Sequence, residues 1–239
     1  MKRQTLTTCA VLIMAFSSVV AQSTENRNLS GFTKVSFAVP GNLNIRIGSE
    51  FKVVLEGNRD FLSEIITEVS NNGLIIKREP ESGWRSGNNR SRFNNERITV
   101  NITMPAISSL SVTGSGTTEV FDSFKTSSLS LSVTGSGRLM INDVSGENLN
   151  STITGSGSIF IKGNGFDKAD IKITGSGSYT GESLKLETAN ITVTGSGNCN
   201  THVTNLLEAR TTGSGNITYL GNPPRIDLRS TGSGRISSR

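Results

Sequence analysis

Apolar and polar residues alternate along much of the last two-thirds of the chain. In one stretch Leu129, Leu131 and Val133 occupy alternate positions, Gly135 and Gly137 continue the series, and most intervening residues are polar. A period of two is that of a β-strand with one buried face, because successive side chains point to opposite sides. The three-and-four spacing of a helix is absent from these segments. The pattern therefore predicts strands that each bury one side.

The tetrapeptide Thr-Gly-Ser-Gly interrupts this alternation seven times, with spacings of 18 to 21 residues. A fixed period of this length is typical of a repeat architecture. Its glycines are Gly114, Gly116, Gly135, Gly137, Gly155, Gly157, Gly175, Gly177, Gly195, Gly197, Gly213, Gly215, Gly232 and Gly234. Glycine lets the backbone bend and leaves the interior uncrowded. We predict an all-β fold, a right-handed parallel β-helix with rungs of ~20 residues and a Thr-Gly-Ser-Gly corner in each.

This register predicts which residues stack from rung to rung. The inward column four residues after the first glycine comprises Thr118, Leu139, Ile159, Tyr179, Cys199, Ile217 and Ile236. The motif threonines form an outward column of Thr113, Thr134, Thr154, Thr174, Thr194, Thr212 and Thr231. We expect both glycines of each motif to face the core and the serine to face solvent. Cys199 is then a small buried residue, and a reactive thiol is the alternative.

Residues 22–106 lack the motif but retain strand patterns. The predicted strands are Phe32–Val39, Leu43–Ile47, Phe51–Leu55, Gly73–Lys77 and Arg97–Thr103. Pro40–Asn42 and Asn71–Gly73 are turn signals, interpreted as degenerate corners. The apolar residues of Asp60–Val69 fall on one helical face, which predicts a short helix that shields the core. Residues 107–239 hold the regular repeats.

The N-terminus has the organisation of a secretory signal. A basic start, a short apolar stretch (Ala10–Phe16) and small residues precede Gln22, so we expect residues 1–21 to be removed on export to the periplasm, the cell surface or the medium. No apolar run is long enough for a transmembrane helix. Cys9 would leave with the signal, and Cys199 would remain as the single thiol, which excludes a disulfide within the chain.

The charge of the chain is weakly positive. The formal net charge is +5, and the signal contains two basic and no acidic residues, which leaves 5 − 2 = +3 for the remainder. This excess is spread along the chain and forms no basic stripe, so we expect no nucleic-acid partner. We also expect no cofactor.

Several segments together resemble a known bacterial family. They are the opening Phe32 to Leu43, the transition Ile98–Pro105 into Leu110–Gly116, and the closing Ile217–Pro223 before the last motif. With the export signal and the repeats, the chain resembles the family described as putative auto-transporter adhesin, head GIN domain, from about Phe32 to Ile236. The resemblance implies an exported β-helical protein of a Bacteroidetes-type bacterium. It carries no functional residues, and the five residues after Gly234 are too few for an outer-membrane barrel, so we do not expect self-export.

Catalysis is the alternative to binding. β-Helical polysaccharide lyases and hydrolases need clustered carboxylates, and Asp143, Glu147, Asp167 and Asp170 approach each other only across neighbouring return segments. His202 is the single histidine, which excludes a usual histidine zinc site. The motif serines lack a positioned base. A threonine ladder also suits an ice-binding solenoid, but charged residues interrupt the neighbouring column. A carbohydrate-active enzyme stays the alternative, and a carboxylate cluster in a groove would favour it.

The irregular segment Glu79–Glu96 holds the best candidate contact residues. Trp84 is the single tryptophan, and Arg85, Arg90 and Arg92 are its neighbours in sequence. Tryptophan and arginine dominate interfaces, although a loop without a ligand is the alternative interpretation. The sequence favours a non-catalytic cell-envelope protein that binds a surface glycan or an envelope protein through its solenoid surface. The last rung carries little capping sequence, so we also expect homo-oligomers.

Overall fold

The computed structural model describes residues 22–79 and 96–239. The predicted signal (1–21) and the predicted contacts Trp84, Arg85, Arg90 and Arg92 lie outside these residues. In chain order the elements are β1 (Gln22–Arg27), β2 (Lys34–Ala38), β3 (Gly41–Ile47), β4 (Lys52–Asn58), α1 (Arg59–Leu62), β5 (Ile65–Ser70), β6 (Gly73–Arg78), β7 (Ile98–Met104), β8 (Ser109–Gly114), β9 (Thr117–Val120), β10 (Phe124–Gly135), β11 (Arg138–Gly155), β12 (Ser158–Gly175), β13 (Ser178–Gly195), β14 (Asn198–Gly213), β15 (Asn216–Leu220), β16 (Arg225–Gly232) and β17 (Ile236–Ser238). They form stacked parallel coils, a β-solenoid of about six turns, which confirms the predicted fold class.

Each regular rung has three sides. β11 pairs in parallel with β12 along residues 138–141, then 144–146, then 148–155. The register shifts between the first two of these ladders and again between Val144 and Ser145, and position 147 is not paired with β12 between the second and the third. We call the ladder that leads into the motif side 1, the ladder that follows the motif side 2, and the short ladder between them side 3. The apolar positions of all three sides face one shared core.

The predicted columns are confirmed. Leu139 pairs with Thr118 and Ile159, and the series continues through Tyr179, Cys199 and Ile217 to Ile236. The seven motif threonines also pair in register, and all seven are exposed. A repeat with one motif per rung fixes this register, because a slip of one residue would turn every apolar side chain outward.

The two glycines of each motif have different roles, which corrects the expectation that both face the core. A methyl group on the second glycine, Gly137, would lie 2.6 Å from Cγ1 of Val112, so this position does face the interior. The first, Gly135, has φ of 105° and a methyl group there would lie 2.7 Å from the Gly114 carbonyl oxygen. Position 135 therefore requires glycine, because its φ is positive and because the neighbouring rung leaves no room for a side chain.

The N-terminal rungs do not stack in chain order. β2 lies between β6 and β8, and β3 lies between β7 and β9, all in parallel. The first rung (34–47) thus lies between two later ones. The next rung along the chain (73–104) stacks on the face of the first that points toward the N-terminal end. The rung of β8 and β9 stacks on the opposite face, toward the regular repeats. Pro40–Asn42 occupies the corner of the first of these rungs, as predicted, and Gly41 has φ of 142° there.

The predicted helix over Asp60–Val69 is mostly wrong. α1 spans only Arg59–Leu62, after Asn58, whose side-chain oxygen accepts from the backbone N–H groups of Asp60 and Phe61. From Ile65 the chain is β5, which pairs antiparallel with β6. The positive φ values of Asn71 and Asn72 close this hairpin, so Asn71–Gly73 is a hairpin turn and not a degenerate corner. Cross-strand pairing has overridden the helical spacing.

Antiparallel strands cover the N-terminal end of the core. β4 pairs with β7 and β1 pairs with β4, both antiparallel. Phe61 and Leu62 of α1 are fully buried against this end. The predicted shielding of the end is therefore provided by one turn of helix and by a change from parallel to antiparallel pairing.

Cys199 is expected to be inert in the folded protein. The side chain is fully buried in its column, and burial raises the pKa of the thiol well above its ordinary value, so the reactive thiolate is scarce. With a thiol reagent such as 5,5′-dithiobis(2-nitrobenzoate), labelling should occur only after denaturation. Protein of known intact mass is needed, because retained Cys9 would also react. If the native protein without its signal is labelled stoichiometrically, Cys199 is a reactive thiol and not an inert buried residue.

Candidate binding groove

A groove of about 720 Å³ runs along side 3 and crosses five consecutive strands, from Lys125 in β10 to Thr204 in β14. Four intervals of about 4.8 Å give it a length of roughly 19 Å. Side 3 carries the groove because its ladder is the shortest of the three and its register is irregular. The regular strands of sides 1 and 2 present flat surfaces instead.

Small residues between two lysines form the depression. Ser145 pairs with Lys125 on one rung and with Gly165 on the next, and Lys185 follows on the rung after that. Gly165 has φ of 140°, and a methyl group on it would overlap the Lys185 carbonyl oxygen, so no larger residue can fill the groove here. Both lysines are exposed and mark the two ends of this low stretch.

A column of carboxylates borders the groove. Glu147, Asp167 and Glu187 lie on three successive rungs, each directly after a residue of the registered series Gly146, Phe166 and Leu186. All three side chains are exposed. Successive rungs place neighbouring members about 4.8 Å apart at the backbone.

The charged side chains of this groove are unpaired. Neither the two lysines nor the three carboxylates form a hydrogen bond or an ion pair with any other residue in 22–79 or 96–239. Their donors and acceptors therefore face solvent and are available to a ligand.

Gly146 and Phe166 form the floor. A methyl group on Gly146 would lie 2.6 Å from Cε1 of Phe166 and would overlap the Thr126 carbonyl oxygen. The phenyl ring thus fills the space that a side chain at position 146 would need. Phe166 is 2% exposed, so it shapes the floor without offering its ring face to a ligand.

A second concavity of about 390 Å³ lies on the sheet of β3, β4 and β7. Four of its polar side chains already have hydrogen-bond or ion-pair partners. The Asn44 amide donates to Asn101 at 2.9 Å, the Asn101 amide donates to Glu56 at 3.1 Å, and Arg46 pairs with Asp122 at 3.0 Å. A ligand would have to break these contacts, so the groove on side 3 is the stronger candidate.

The structure brings together only part of the predicted acidic set. Glu147 and Asp167 line the groove, whereas Asp170 lies on side 1 and accepts a hydrogen bond from Asn190 at 3.1 Å. Asp143 does not line the groove either. Glu187 also lines the groove but is not in the predicted acidic set. The 20-residue spacing of positions 147, 167 and 187 matches the motif period and would have indicated it. Within the described ranges, no three His, Cys, Asp or Glu residues are placed to hold a metal ion.

The ends of the segment with Trp84 are defined although the segment itself is not described. β6 pairs with β2, and β7 pairs with β3 on the other side of the corner of that rung. Trp84, Arg85, Arg90 and Arg92 themselves lie outside the described residues, so their role as contacts stays a prediction.

The comparisons with known proteins fit this geometry. The family model described as putative auto-transporter adhesin, head GIN domain, matches residues 31–223, which include every rung from β2 to β15. The chain belongs to this family. The resemblance inferred from the opening, transition and closing segments is therefore confirmed. No curated protein matches this head GIN domain chain.

Solved structures show that the fold of this head GIN domain chain recurs. A putative adhesin from Bacteroides fragilis is 21% identical, with a TM-score of 0.80 over 92% of this chain and 97% of that one. A putative adhesin from Parabacteroides distasonis is 18% identical, with a TM-score of 0.72 over 92% and 98%. A putative lipid binding protein from the same species is 20% identical, with a TM-score of 0.68 over 91% and 96%. At these identities the likeness concerns the fold alone.

Within the described residues, no helix has the length and apolar character that a membrane span requires.

Proposed function

We propose that this protein is an exported, non-catalytic binding protein of the cell envelope, an adhesin whose groove on side 3 holds an extended surface glycan. One observation carries the proposal: five charged side chains line a groove roughly 19 Å long and form no hydrogen bond or ion pair with other described residues. A site with unpaired donors and acceptors along its length suits a linear partner with many hydroxyl groups. Membership of a family described as putative adhesins supports the same class of function.

The shape of the site favours a polymer over a small molecule. Small-molecule sites are enclosed and mostly apolar, whereas this groove is open and bordered by lysine and carboxylate side chains. Solenoids present extended surfaces of this kind to extended partners. An envelope protein segment in the same groove is the other partner that the sequence predicts, and the experiment below distinguishes the two.

A carbohydrate-active enzyme is the second candidate, and the carboxylate column favours it. Retaining glycosidases hold two carboxyl groups about 5–5.5 Å apart, which is close to the distance of about 4.8 Å between neighbouring rungs. A glycosidase also keeps one carboxyl group protonated in an apolar surrounding. Glu147, Asp167 and Glu187 are all exposed, which favours binding over catalysis.

The test is a glycan array with the purified protein, followed by calorimetric titration of each hit. Lys125→Ala combined with Lys185→Ala should weaken binding about tenfold or more, about 1.4 kcal/mol, because both ends of the groove lose a donor. The triple variant Glu147→Gln, Asp167→Asn, Glu187→Gln tests the carboxylates. Lys172→Ala with Glu208→Gln, both exposed on side 1, is the matched control and should bind normally.

Each outcome has a defined meaning. If the protein binds no glycan but captures an envelope protein, the partner of the groove is a protein and not a glycan. Cleavage of a bound glycan that the triple variant abolishes would establish the enzyme. If binding is lost only in Trp84→Ala, the ligand contacts lie within residues 79–96 and not in the groove.

The intact mass of the exported protein should correspond to a chain that starts at Gln22. A mass that includes residues 1–21 would contradict export through a cleaved signal.

A further inference from the structure

The two ends of the solenoid differ in how the core is covered. At the N-terminal end, α1 and antiparallel strands cover it, and the outermost strand β1 is polar throughout. At the other end, β16 pairs with β14 along one edge, and no described strand pairs with its second edge. Ile226 and Leu228 continue the inward positions of Leu207 and Ala209, yet they are 47% and 39% exposed. They are the most exposed large apolar side chains of the described residues.

We propose that a second copy of this chain covers this end, in a two-fold dimer in which β16 pairs antiparallel with β16 of the partner. A two-fold axis normal to side 1 reverses the strand direction and keeps inward residues inward. The apolar positions of the two last rungs would then meet and continue one core through both copies. Pairing would also satisfy the backbone groups along the free edge of β16, which otherwise invite contact with any other chain.

The charges and the length of β16 identify a second copy as the occupant and favour one register. With the axis at Leu228, Asp227 lies opposite the partner's Arg229, and this pair occurs twice. Within one copy the same two side chains already approach to 3.4 Å, so the dimer would bring four alternating charges together. A register centred on Asp227 would instead place the two aspartates opposite each other, which is unfavourable. A register centred on Ile226 would also bring opposite charges together, Arg225 against Asp227, but it would pair only residues 225–227 of β16. The axis at Leu228 pairs residues 225–231, so it joins opposite charges along most of the strand.

The difference between the ends also predicts a closed dimer. A head-to-tail stack would need an apolar surface at the N-terminal end, where Phe61 and Leu62 already cover the core. The only exposed apolar end of the described solenoid thus meets its own copy. An isologous contact of this kind closes after two copies, whereas a head-to-tail contact would grow into a filament. This inference is independent of the ligand of the groove.

The test is the oligomeric state of the purified protein, measured by sedimentation velocity and by light scattering after size exclusion. We expect a concentration-dependent dimer that weakens at high salt. Arg229→Asp and Asp227→Arg should each raise the dissociation constant about tenfold or more, because like charges then face each other. The double variant Asp227→Arg, Arg229→Asp restores opposite charges across the axis and should restore the dimer.

Glu208→Arg combined with Arg210→Asp is the matched control. These residues pair with Asp227 and Arg229 on the neighbouring rung, in the same two columns, but away from the free edge. The control should leave the dimer unchanged. A monomer at all attainable concentrations, a dimer insensitive to the single reversals, a double variant that stays monomeric, or filaments would each overturn the proposal. Circular dichroism of every variant confirms that the fold is intact.

Discussion

Replacing Gly175 by alanine is expected to destabilise the protein by about 2–6 kcal/mol. Gly175 has φ of 111°, a conformation that strains an L side chain by about 1–3 kcal/mol. The new methyl group would also lie 2.6 Å from the Gly155 carbonyl oxygen, and crowding of this kind costs about 1–3 kcal/mol more. That oxygen accepts the Ser176 backbone N–H at 2.8 Å, so the clash also disturbs a bond between rungs. Urea unfolding followed by circular dichroism measures the loss.

Two controls separate the causes. Ser176→Ala keeps the backbone bond and changes only an exposed side chain, so it should stay within about 0.5 kcal/mol of the parent. Gly114 has φ of 91° but open space around the position of a methyl group, so Gly114→Ala should cost only the strain, about 1–3 kcal/mol. Equal losses at Gly114 and Gly175 would show that the neighbouring rung is not what requires glycine.

Replacing Ile173 by alanine is the second large effect, an expected loss of about 2–5 kcal/mol. Ile173 is 1% exposed and lies between Ile153 and Val193 in its inward column. Its Cγ2 lies 2.6 Å from the position that a methyl group on Gly197 would take, so the side chain fills the inner corner of the next rung. Truncation leaves a cavity there that packed neighbours on both rungs cannot close. The same urea titration measures it.

Thr174→Ala is the matched control, because Thr174 follows Ile173 directly and belongs to the exposed threonine column. Its loss should not exceed about 0.5 kcal/mol. A comparable loss in the two variants would contradict the assignment of inward and outward positions. Changed glycan binding by Thr174→Ala without a change in stability would assign a function to the threonine column.

The regular rungs were predictable because one motif marks the same point of each rung. The alternation around Leu131 and Val133 identifies the buried face, and equal spacing aligns neighbouring rungs without any knowledge of their contacts. The position of β2 between β6 and β8 was not predictable, since it depends on pairing between segments far apart in sequence. Most of the ten residues from Asp60 were assigned wrongly, because a helical spacing in a short apolar segment fits a paired strand as well.

The groove was only partly predictable. Glu147 and Asp167 were recognised as neighbours in the return segments, but the depression itself depends on Gly146, Gly165 and the ring of Phe166. These residues matter through the space that they leave or fill on adjacent rungs, which alternation along one strand does not show. The resemblance to the head GIN domain family was sufficient for the fold and named no site.

The position of the 34–47 rung between two later rungs constrains the order in which the chain can fold. As the chain emerges from its N-terminus, during synthesis or export, β2 and β3 appear before both of the strands that flank each of them. This rung cannot be flanked on both sides until residues through Val120 have emerged, so the first half of the chain cannot fold progressively as it is made. From β10 onward each new rung finds its predecessor already present as a template. Folding should therefore begin late and then advance in chain order, one rung at a time, toward the C-terminus.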